Sequence, residues 1–390
     1  MAAPRRPCMI TLLDGAAVRV YVEPRGRCVR CGRPARVRLP YARAWLCDEH
    51  FLEYVRGKVV RSIQRYSMVR PGERVLVAVS GGKDSATLMD VLDKASAQLN
   101  VDVVAVHINM GIGDYSRESL EAFRRACAGA RRVRCLEVDL KDLIGMYLPD
   151  VVRALRRPAC SVCGLIRRYV LNALALELGA SAVATGHHLN DVMAYAVKNF
   201  LGQNTDQISK MGPVVEGEGS AVRRIRPLFD VYEDEARAYA LLAGVPYTPA
   251  VCPFKPRSSL EDLLKDMLDS IERRSPSMLI SSARALAREA HRYPAAHPPI
   301  GRCRYCGMPT SRDVCAFCSL TLSLTGTPLG PEVRARLREI VERAGLRDDS
   351  REPGEQPRAP LGDEHHVLDP DPVDPGHVEA GLHGDHHAGL

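Results

Sequence analysis

A glycine-rich loop follows an apolar run of the chain and carries residues suited to phosphate chemistry. Residues 75–79 are typical of a buried parallel strand, and Ser80-Gly-Gly-Lys-Asp-Ser85 follows them directly. Because Gly81 and Gly82 lack side chains, backbone N–H groups can surround an anion there. A helix beginning near Lys83 would direct its positive dipole end at that anion, while Asp84 and Ser85 offer a carboxylate for magnesium and a hydroxyl donor. The loop predicts a phosphate site, although its spacing is not that of a Walker loop.

Two sets of paired ligands have the spacing of tetrahedral zinc sites. The N-terminal set is Cys28, Cys31, Cys47 and His50, and the C-terminal set is Cys303, Cys306, Cys315 and Cys318. In each set, two ligands separated by two residues can form a tight knuckle, and a short intervening segment can bring the two knuckles together. We therefore predict two zinc sites. His50 is the least certain ligand by residue type, because it could instead be a surface histidine.

Six cysteines remain outside these sets: Cys8, Cys127, Cys135, Cys160, Cys163 and Cys252. Cys127 falls in a helical pattern and Cys135 in a strand pattern, where small buried hydrophobic residues are expected. Cys160 and Cys163 precede a predicted helix, and Cys252 follows the last predicted strand, so these three thiols are expected at one crevice. Three interpretations stay open: a redox-active disulfide with a persulfide carrier, a third zinc site, or a three-cysteine iron–sulfur cluster with one open iron.

Alternating strand-like and helix-like runs from residue 56 to residue 256 must position these groups. Strands are predicted at 75–80, 101–109, 133–140, 181–186 and 222–229, and helices at 116–130, 163–178, 190–201 and 233–243. Repeated β-α units predict an α/β fold with a doubly wound parallel sheet and a ligand crevice at the carboxyl ends of its strands. Two further helices with basic faces are predicted at 260–274 and 281–292.

Charge is divided unevenly along the chain. The net charge is +7, yet residues 346–390 hold eleven Asp or Glu against three Lys or Arg, so the preceding residues carry an excess of 15 positive charges. That excess favours a polyanionic partner such as RNA. The acidic, histidine-rich tail has few residues able to form a core and is predicted to be disordered.

Composition also bears on cellular location. We find no apolar run of about 18 residues and no signal-peptide pattern, so we expect an intracellular, cytoplasmic protein without a membrane span. The cysteines occur mostly in C-x-x-C pairs, which in a reducing compartment favour metal ligation over disulfides.

The ordered set of these motifs resembles one family. Flanking zinc knuckles, SGGKDS, C-x-x-C-G followed by Arg167-Arg168, T-G-H-x-x-x-D and a late C-P together resemble the TtuA branch of the TtcA/TtuA tRNA 2-thiolation family, within the PP-loop ATP pyrophosphatases. The resemblance covers about residues 28–320. It implies that ATP adenylates O2 of a tRNA uridine and that sulfur then replaces the activated oxygen. It also implies a 4Fe-4S cluster on Cys160, Cys163 and Cys252, a ubiquitin-like sulfur-carrier protein as donor, and a homodimer.

Site roles follow from the resemblance. Binding of pyrophosphate and magnesium is assigned to Ser80, Gly81, Gly82, Lys83, Asp84 and Ser85. Gly186 would allow close approach of the nucleotide, and Asp191 would bind magnesium or deprotonate the nucleophile. A helix N-terminal carboxylate is the simpler role for Asp191. Arg167 matches a basic position that can be lysine in relatives, and it would stabilise phosphate charge.

The predicted organisation has five segments. They are an N-terminal zinc module (1–56), a PP-loop catalytic domain (57–256), a basic helical connector (257–296), a C-terminal zinc module (297–346) and the tail (347–390). The predicted function is a tRNA 2-thiouridine synthetase acting at uridine 54 of the T-loop. The alternatives are a uridine 34 thiolase of the same family, and a zinc-containing RNA-binding protein with a non-catalytic ATP site.

Overall fold

The computed structural model describes residues 10–11, 17–18, 26–217, 222–256, 259–293 and 300–347. Its helices are α1 Asp48–Arg65, α2 Lys83–Leu99, α3 Gly113–Gly129, α4 Leu140–Ile144, α5 Leu148–Leu155, α6 Ala159–Glu177, α7 Leu189–Leu201, α8 Thr205–Ile208, α9 Glu233–Leu242, α10 Leu260–Arg274, α11 Met278–Glu289, α12 Ala316–Thr325 and α13 Gly330–Arg343. Its strands are β1 Ile10–Thr11, β2 Ala17–Val18, β3 Gly26–Arg27, β4 Pro34–Ala35, β5 Val37–Leu39, β6 Ala44–Leu46, β7 Arg74–Ala78, β8 Asp102–Asn109, β9 Arg134–Asp139, β10 Ala182–Ala184, β11 Val214–Val215, β12 Arg223–Ile225, β13 Gly301–Arg302 and β14 Pro309–Thr310. Cys8 and the predicted tail from residue 348 lie outside the described residues.

The central sheet has six strands in the order β11-β12-β10-β7-β8-β9. Neighbours from β12 to β9 pair in parallel, and β11 adds an antiparallel edge next to β12. This confirms the predicted α/β fold with a parallel sheet. Along the chain, β7, β8 and β9 follow one another toward one edge of the sheet, and β10 then pairs with the other side of β7. The carboxyl ends of β7 and β10 therefore form the switch point at which ligands bind in such sheets.

Both faces of the sheet are buried, which explains the continuous apolar runs of its strands. Val75 and Val77 of β7 join one core with α1, α2, α7 and α9, while Leu76 between them joins the opposite core with α6, α12 and α13. Alternate residues of one strand thus stabilise two layers of helices.

The first helix joins the N-terminal cysteine-rich module to the sheet. α1 begins in the module at Asp48 and continues past residue 56 to Arg65. In its middle, the buried Lys58 ammonium lies 2.7 Å from the Glu235 carboxylate of α9. Since a buried charge needs a partner, this pair fixes the module against the sheet layer. The domain boundaries drawn from the sequence stay predictions.

Helix α6 is held by the C-terminal module. The Tyr169 ring stacks on Phe317 with centroids 3.8 Å apart, and its hydroxyl donates to the Gly330 carbonyl oxygen at 3.0 Å. Gly330 must be glycine because a Cβ there would lie 2.4 Å from the Cys318 sulfur. Near the end of α6, Glu177 accepts hydrogen bonds from Arg334 and Arg338 of α13, whose side chains are partly exposed.

One helix of the described chain, α6, is long and apolar enough to cross a membrane. Its Ile166, Val170 and Leu174 are buried in the protein core, as in the core helix of a globular domain.

Two sequence-based expectations were wrong. Cys127 and Cys135 are not isolated buried hydrophobic residues: they form a disulfide between the end of α3 and the start of β9, with both residues half-buried. The short turn between these elements brings the two Cα atoms to 6.2 Å. Helix α10 also lacks a basic face, since it holds five acidic and three basic residues and exposes an apolar stripe instead.

Candidate active site and metal centres

The phosphate loop lies between β7 and α2 at the switch point of the sheet. Gly81 has φ +92°, a left-handed conformation that favours glycine, and a Cβ there would lie 2.8 Å from the Cα of Ser119 on α3. Gly82 caps α2 without a side-chain hydrogen bond. The Ser80 backbone N–H donates to the Ser85 hydroxyl at 3.1 Å, and that hydroxyl donates to the Gly82 carbonyl oxygen at 3.1 Å. The loop therefore holds a fixed shape at the positive end of a seventeen-residue helix.

Gly186 follows β10 and packs against the start of α2. A Cβ at this position would lie 2.8 Å from the Ser85 backbone nitrogen and 3.0 Å from the Asp84 carbonyl carbon. The close neighbour that requires glycine here is thus the phosphate-loop helix itself. A larger residue would displace the loop that is predicted to hold the phosphates.

Charged side chains from four helices meet beside this loop. The Lys83 ammonium lies 2.9 Å from Asp84 and 3.0 Å from Glu233, which is the first residue of α9. The buried His188, which precedes α7, has its Nε2 atom 3.5 Å from the Glu233 carboxylate and 3.4 Å from Asp191. Carboxylates of three elements therefore converge on one point at the phosphate loop.

Asp191 takes part in both a helix cap and an ion pair. As third residue of α7, its carboxylate accepts from the His188 backbone N–H at 3.2 Å, which is the simpler structural role considered above. The same carboxylate also pairs with the ammonium of Lys265, from α10, which lies 3.4 Å from Glu233. The connector helix thus contributes a cation to the site.

The charges of this cluster stabilise one another. Burial tends to raise the pKa of Glu233 and Asp191, yet neighbouring basic side chains lower both: Lys83, His188 and Lys265 for Glu233, and His188 and Lys265 for Asp191. Burial would lower the pKa of Lys265, but the carboxylates of Asp191 and Glu233 raise it. Glu233 and Asp191 can therefore stay ionised in a partly buried site that is suited to a divalent cation and polyphosphate.

The three remaining thiols gather at the same end of the fold. Cys160 and Cys163 lie in the first turns of α6, because the helix begins at Ala159, four residues before its predicted start. The Cys160 sulfur lies 3.6 Å from the carbonyl oxygen of Phe254, two residues beyond Cys252. Burial raises the pKa of the Cys163 thiol, Arg167 lowers it, and the neighbouring Cys252 and Cys160 raise it further. The three thiols are therefore neighbours, and all three are free.

The spacing of these thiols differs from that of a single-metal site. Among the described residues, two groups place their possible ligand atoms within 4.8 Å of one another, and neither contains Cys160, Cys163 or Cys252. One tetrahedral zinc with Zn–S bonds of ~2.3 Å would hold its sulfurs about 3.8 Å apart. At least one pair of these three sulfurs is therefore farther apart than the ligands of a single tetrahedral zinc.

Arg167 lies beside these thiols, one turn along α6 from Cys163. It lies close enough to lower the pKa of the Cys163 thiol, and its charge acts on Tyr115 and the buried His107. Its Nε atom is buried without a hydrogen-bond partner in the structure. A buried, unsatisfied guanidinium N–H indicates a position for a further acceptor.

The structure brings the four ligands of each predicted zinc site close together. In the N-terminal set, the Cys31 and Cys47 sulfurs are 3.8 Å apart, and the His50 Nδ1 atom lies 3.2 Å from the Cys47 sulfur. In the C-terminal set, whose four cysteines are all buried, the Cys306 and Cys315 sulfurs are 3.7 Å apart. Both separations match the edge of a tetrahedral zinc–thiolate site, about 3.8 Å long. Both clusters can therefore bind metal.

Sequence reasoning missed His188, Glu233 and Lys265. Glu233 opens the helix that follows the last parallel strand, so its place at the carboxyl edge could have been inferred from the predicted topology. His188 directly follows the T-G-H motif. Nothing in the local pattern of α10 singles out Lys265, because its site partners lie 74 and 32 residues earlier in the chain.

Comparison with known proteins then identifies the family. The PP-loop domain family matches residues 55–249, and the N-terminal LIM domain of 2-thiouridine synthetase TtuA matches residues 27–52. The tRNA-5-methyluridine(54) 2-sulfurtransferase of Pyrococcus horikoshii is 37% identical over 298 residues, which cover 75% of this chain and 92% of that protein. The chain belongs to the PP-loop tRNA 2-thiolation family.

Two further relatives extend the match. Cytoplasmic tRNA 2-thiolation protein 1 of Bos taurus is 31% identical over 87% of this chain and 98% of its own length. The structure of the U34-tRNA thiolase NcsA from Methanococcus maripaludis, with its [4Fe-4S] cluster, superposes with a TM-score of 0.66 at 27% identity, covering 76% of this chain and 96% of that one. The resemblance inferred from the motifs is confirmed, as is the assignment to a family of tRNA sulfurtransferases.

Proposed function

We propose that this chain is an ATP-dependent tRNA 2-thiouridine synthetase that acts on uridine 54. The uridine O2 attacks the α-phosphorus of ATP and releases pyrophosphate. Sulfur then attacks C2, and AMP leaves with the former O2. The observation that carries the proposal is the convergence of the phosphate loop, the carboxylate cluster and three free thiols at one end of the sheet.

Each group has a proposed role. The loop residues 80–85 would hold the pyrophosphate, and Asp84 with Asp191 would bind magnesium. Gly186 keeps the loop in place and leaves room for the nucleotide. Arg167 would stabilise negative charge next to Cys163 during the exchange of oxygen for sulfur.

A 4Fe-4S cluster on Cys160, Cys163 and Cys252 is part of this proposal. The placement of three free thiols at one crevice and the cluster of the related NcsA support it. Such a cluster would leave one iron without a protein ligand, which supplies a place for the donor sulfur. The chain's own contribution is to keep three thiols and a guanidinium beside the activated base.

A reconstituted assay tests the function. The anaerobically purified protein is incubated with ATP, magnesium, sulfide and transcribed tRNA, and the nucleosides are analysed by mass spectrometry. We expect 2-thiouridine in the wild-type transcript and none when uridine 54 is replaced by cytidine. Loss of product only on replacement of uridine 34 would favour the alternative that NcsA represents. RNA binding without pyrophosphate release would favour the non-catalytic alternative.

Curated relatives favour uridine 54 over uridine 34. The 2-sulfurtransferases named for position 54 reach 37% identity in Pyrococcus horikoshii and Thermus thermophilus, against 30% for the NcsA of Haloferax volcanii. The resemblance also implies a thiocarboxylated ubiquitin-like carrier as the physiological donor. We include that carrier and a cytoplasmic location in the proposal.

We propose that both cysteine-rich clusters bind zinc, two ions per chain. Replacing the buried Cys315 by serine is expected to reduce the zinc content from about two to about one per chain. It should lower the midpoint of thermal unfolding by more than about 5 °C, because metal binding at such sites contributes folding free energy. Plasma mass spectrometry and a thermal melt measure both effects. Cys127→Ser, outside either cluster, should keep both metals, and a wild-type protein without zinc would refute the assignment.

We also propose a homodimer formed through the outer face of α10. Leu260, Leu263, Met267 and Ile271 are exposed and recur every three or four residues, so they form one apolar stripe. In an antiparallel pair about a two-fold axis, two stripes would cover each other, and the acidic first turn of one helix would face the basic last turn of the other.

Sedimentation equilibrium tests this interface. The double variant Leu263→Glu with Met267→Glu is expected to be a monomer at concentrations where the wild-type chain is a dimer. Phe200→Glu changes an exposed aromatic residue of α7 and should leave the dimer intact. A monomeric wild-type protein, or a dimeric double variant, would contradict the proposal.

A further inference from the structure

A cavity of about 520 Å³ opens beside Cys252. Two aromatic residues line it, Tyr115 of α3 and Phe254 of the segment after Cys252, together with apolar residues that include Ile112, Pro149 and Val251. Its volume lies within the range of ~300–1,000 Å³ that is typical of small-molecule pockets. None of these side chains has a role in the function proposed above.

The cavity is connected to both halves of the proposed reaction. The Thr248 backbone N–H donates to the Gly81 carbonyl oxygen at 2.9 Å, and the Thr248 hydroxyl lies 3.2 Å from the Glu118 carboxylate. The segment that forms one wall is therefore attached to the phosphate loop. On the thiol side, the Phe254 carbonyl oxygen lies 3.6 Å from the Cys160 sulfur. A planar group in the cavity would therefore contact a wall that joins the phosphate loop to the thiols.

Tyr115 of the cavity wall lies within electrostatic range of the thiols. Burial raises the pKa of its hydroxyl, and the charges of Arg167, Cys252 and Cys163 act on it. Its ring is half-buried and forms part of the cavity wall. An aromatic ring beside the reacting centre can position a base by stacking, whatever the sequence around that base.

We propose that this cavity binds the target uracil, flipped out of the RNA and stacked on Tyr115 and Phe254. The inference rests on the proposed function and specifies how its substrate is held. Bases in RNA loops are recognised in this way, splayed out and stacked on aromatic side chains, since chemistry on a base needs access to its edge.

The acidic side chains of the cavity wall have partners within the protein, and two exposed arginines precede Cys160 in the chain. Asp114 in the wall is paired with Arg117 at 3.0 Å, and Glu118 is engaged by Thr248. Arg156 and Arg157, between α5 and Cys160, are exposed, and neither has a carboxylate within ion-pair distance in the described part of the chain. Backbone phosphates that pass the start of α6 would therefore meet these two exposed cations.

Single-turnover pyrophosphate release tests the proposal, because adenylation needs the uridine but no sulfur donor. With ATP, magnesium and transcribed tRNA, Tyr115→Ala is expected to slow release about 10- to 100-fold, the order expected for loss of one stacked base. Tyr115→Phe keeps the ring and should stay within about threefold of the wild-type rate. Phe200→Ala, an exposed aromatic residue of α7, is the matched control and should leave the rate unchanged.

A second measurement does not depend on activity. A tRNA with 4-thiouridine at the target position is irradiated with the wild-type protein, and the crosslinked peptide is identified by mass spectrometry. We expect crosslinks at Tyr115 or Phe254. Crosslinks elsewhere would overturn the proposal even if Tyr115→Ala fails to fold.

Other outcomes are separable. If Tyr115→Ala releases pyrophosphate at the wild-type rate but no longer forms 2-thiouridine, the cavity receives the sulfur donor and the inference is wrong. Wild-type rates for both steps in this variant would also overturn it. If the wild-type protein itself neither releases pyrophosphate with tRNA nor forms 2-thiouridine, the proposed function fails, independently of which residues line the cavity.

Discussion

Cys252→Ala is expected to abolish 2-thiouridine formation, by more than about 100-fold, while ATP binding stays at the wild-type level. Cys252 lies beside Cys160 and Cys163 of α6, so its loss removes one of the three ligands proposed for the cluster. The phosphate loop and its carboxylates belong to other elements, α2, α7 and α9, and do not depend on this thiol. Sulfur transfer should therefore fail although the nucleotide still binds.

Cys127→Ala is the matched control for this experiment. It makes the same substitution at a half-buried cysteine of α3, where it breaks the disulfide and frees Cys135 but keeps the three thiols of the crevice. Nucleoside mass spectrometry measures the product, isothermal titration measures ATP binding, and anaerobic absorption spectra report the cluster. Continued 2-thiouridine formation by Cys252→Ala would exclude a three-cysteine cluster as the sulfur-carrying centre.

Lys265→Met is expected to slow tRNA-dependent pyrophosphate release by about 100- to 1,000-fold, comparable to losing one charge-stabilising donor in an active site. The lysine pairs with Asp191 and lies 3.4 Å from Glu233, and all three side chains are mostly buried. Without it, Asp191 and Glu233 lose a shared positive neighbour, while Lys83 and Arg237 still pair with Glu233, so the pKa of each carboxyl should rise. Lys265→Arg keeps the charge and should recover part of the rate.

Lys198→Met provides the control for that experiment. Lys198 of α7 pairs with Glu261 of α10, so it joins the same two helices by the same type of ion pair, near the other end of α7. Stopped-flow pyrophosphate detection measures the rates of both variants. Equal rates for Lys265→Met and Lys198→Met would show that Lys265 only ties the helices together.

Much of this architecture could be predicted from sequence because its signals are local. The apolar run of β7 and the SGGKDS loop specify a strand, a turn and a helix start within about a dozen residues, and paired ligands such as Cys303 and Cys306 define a knuckle by their spacing alone. Cys252 could be placed near Cys160 because loops after parallel strands meet at one edge of the sheet.

The remaining features depend on contacts between distant elements. Lys265 reaches Asp191 only because α10 packs on α7, and no periodicity encodes which helix covers a given site. The pairing of Cys127 with Cys135 depends on how tightly the chain turns between α3 and β9. The predicted basic face of α10 is wrong because basic residues are concentrated in its last turn, while acidic residues outnumber them over the whole helix.

The stacking of Tyr169 on Phe317 has a consequence for how oxidation of one group of cysteines affects the other. Helix α6 has nineteen residues and is about 28 Å long. Its second half is held by the C-terminal module through Tyr169 and Glu177, and its first turns carry the exposed Cys160 and the half-buried Cys163. An oxidant can react with the accessible Cys160 and Cys163 without reaching the four buried cysteines of the C-terminal cluster. Oxidation of the C-terminal cluster, in contrast, would loosen the packing of α6. Cys160 and Cys163 would then keep their thiols but lose their positions at the crevice.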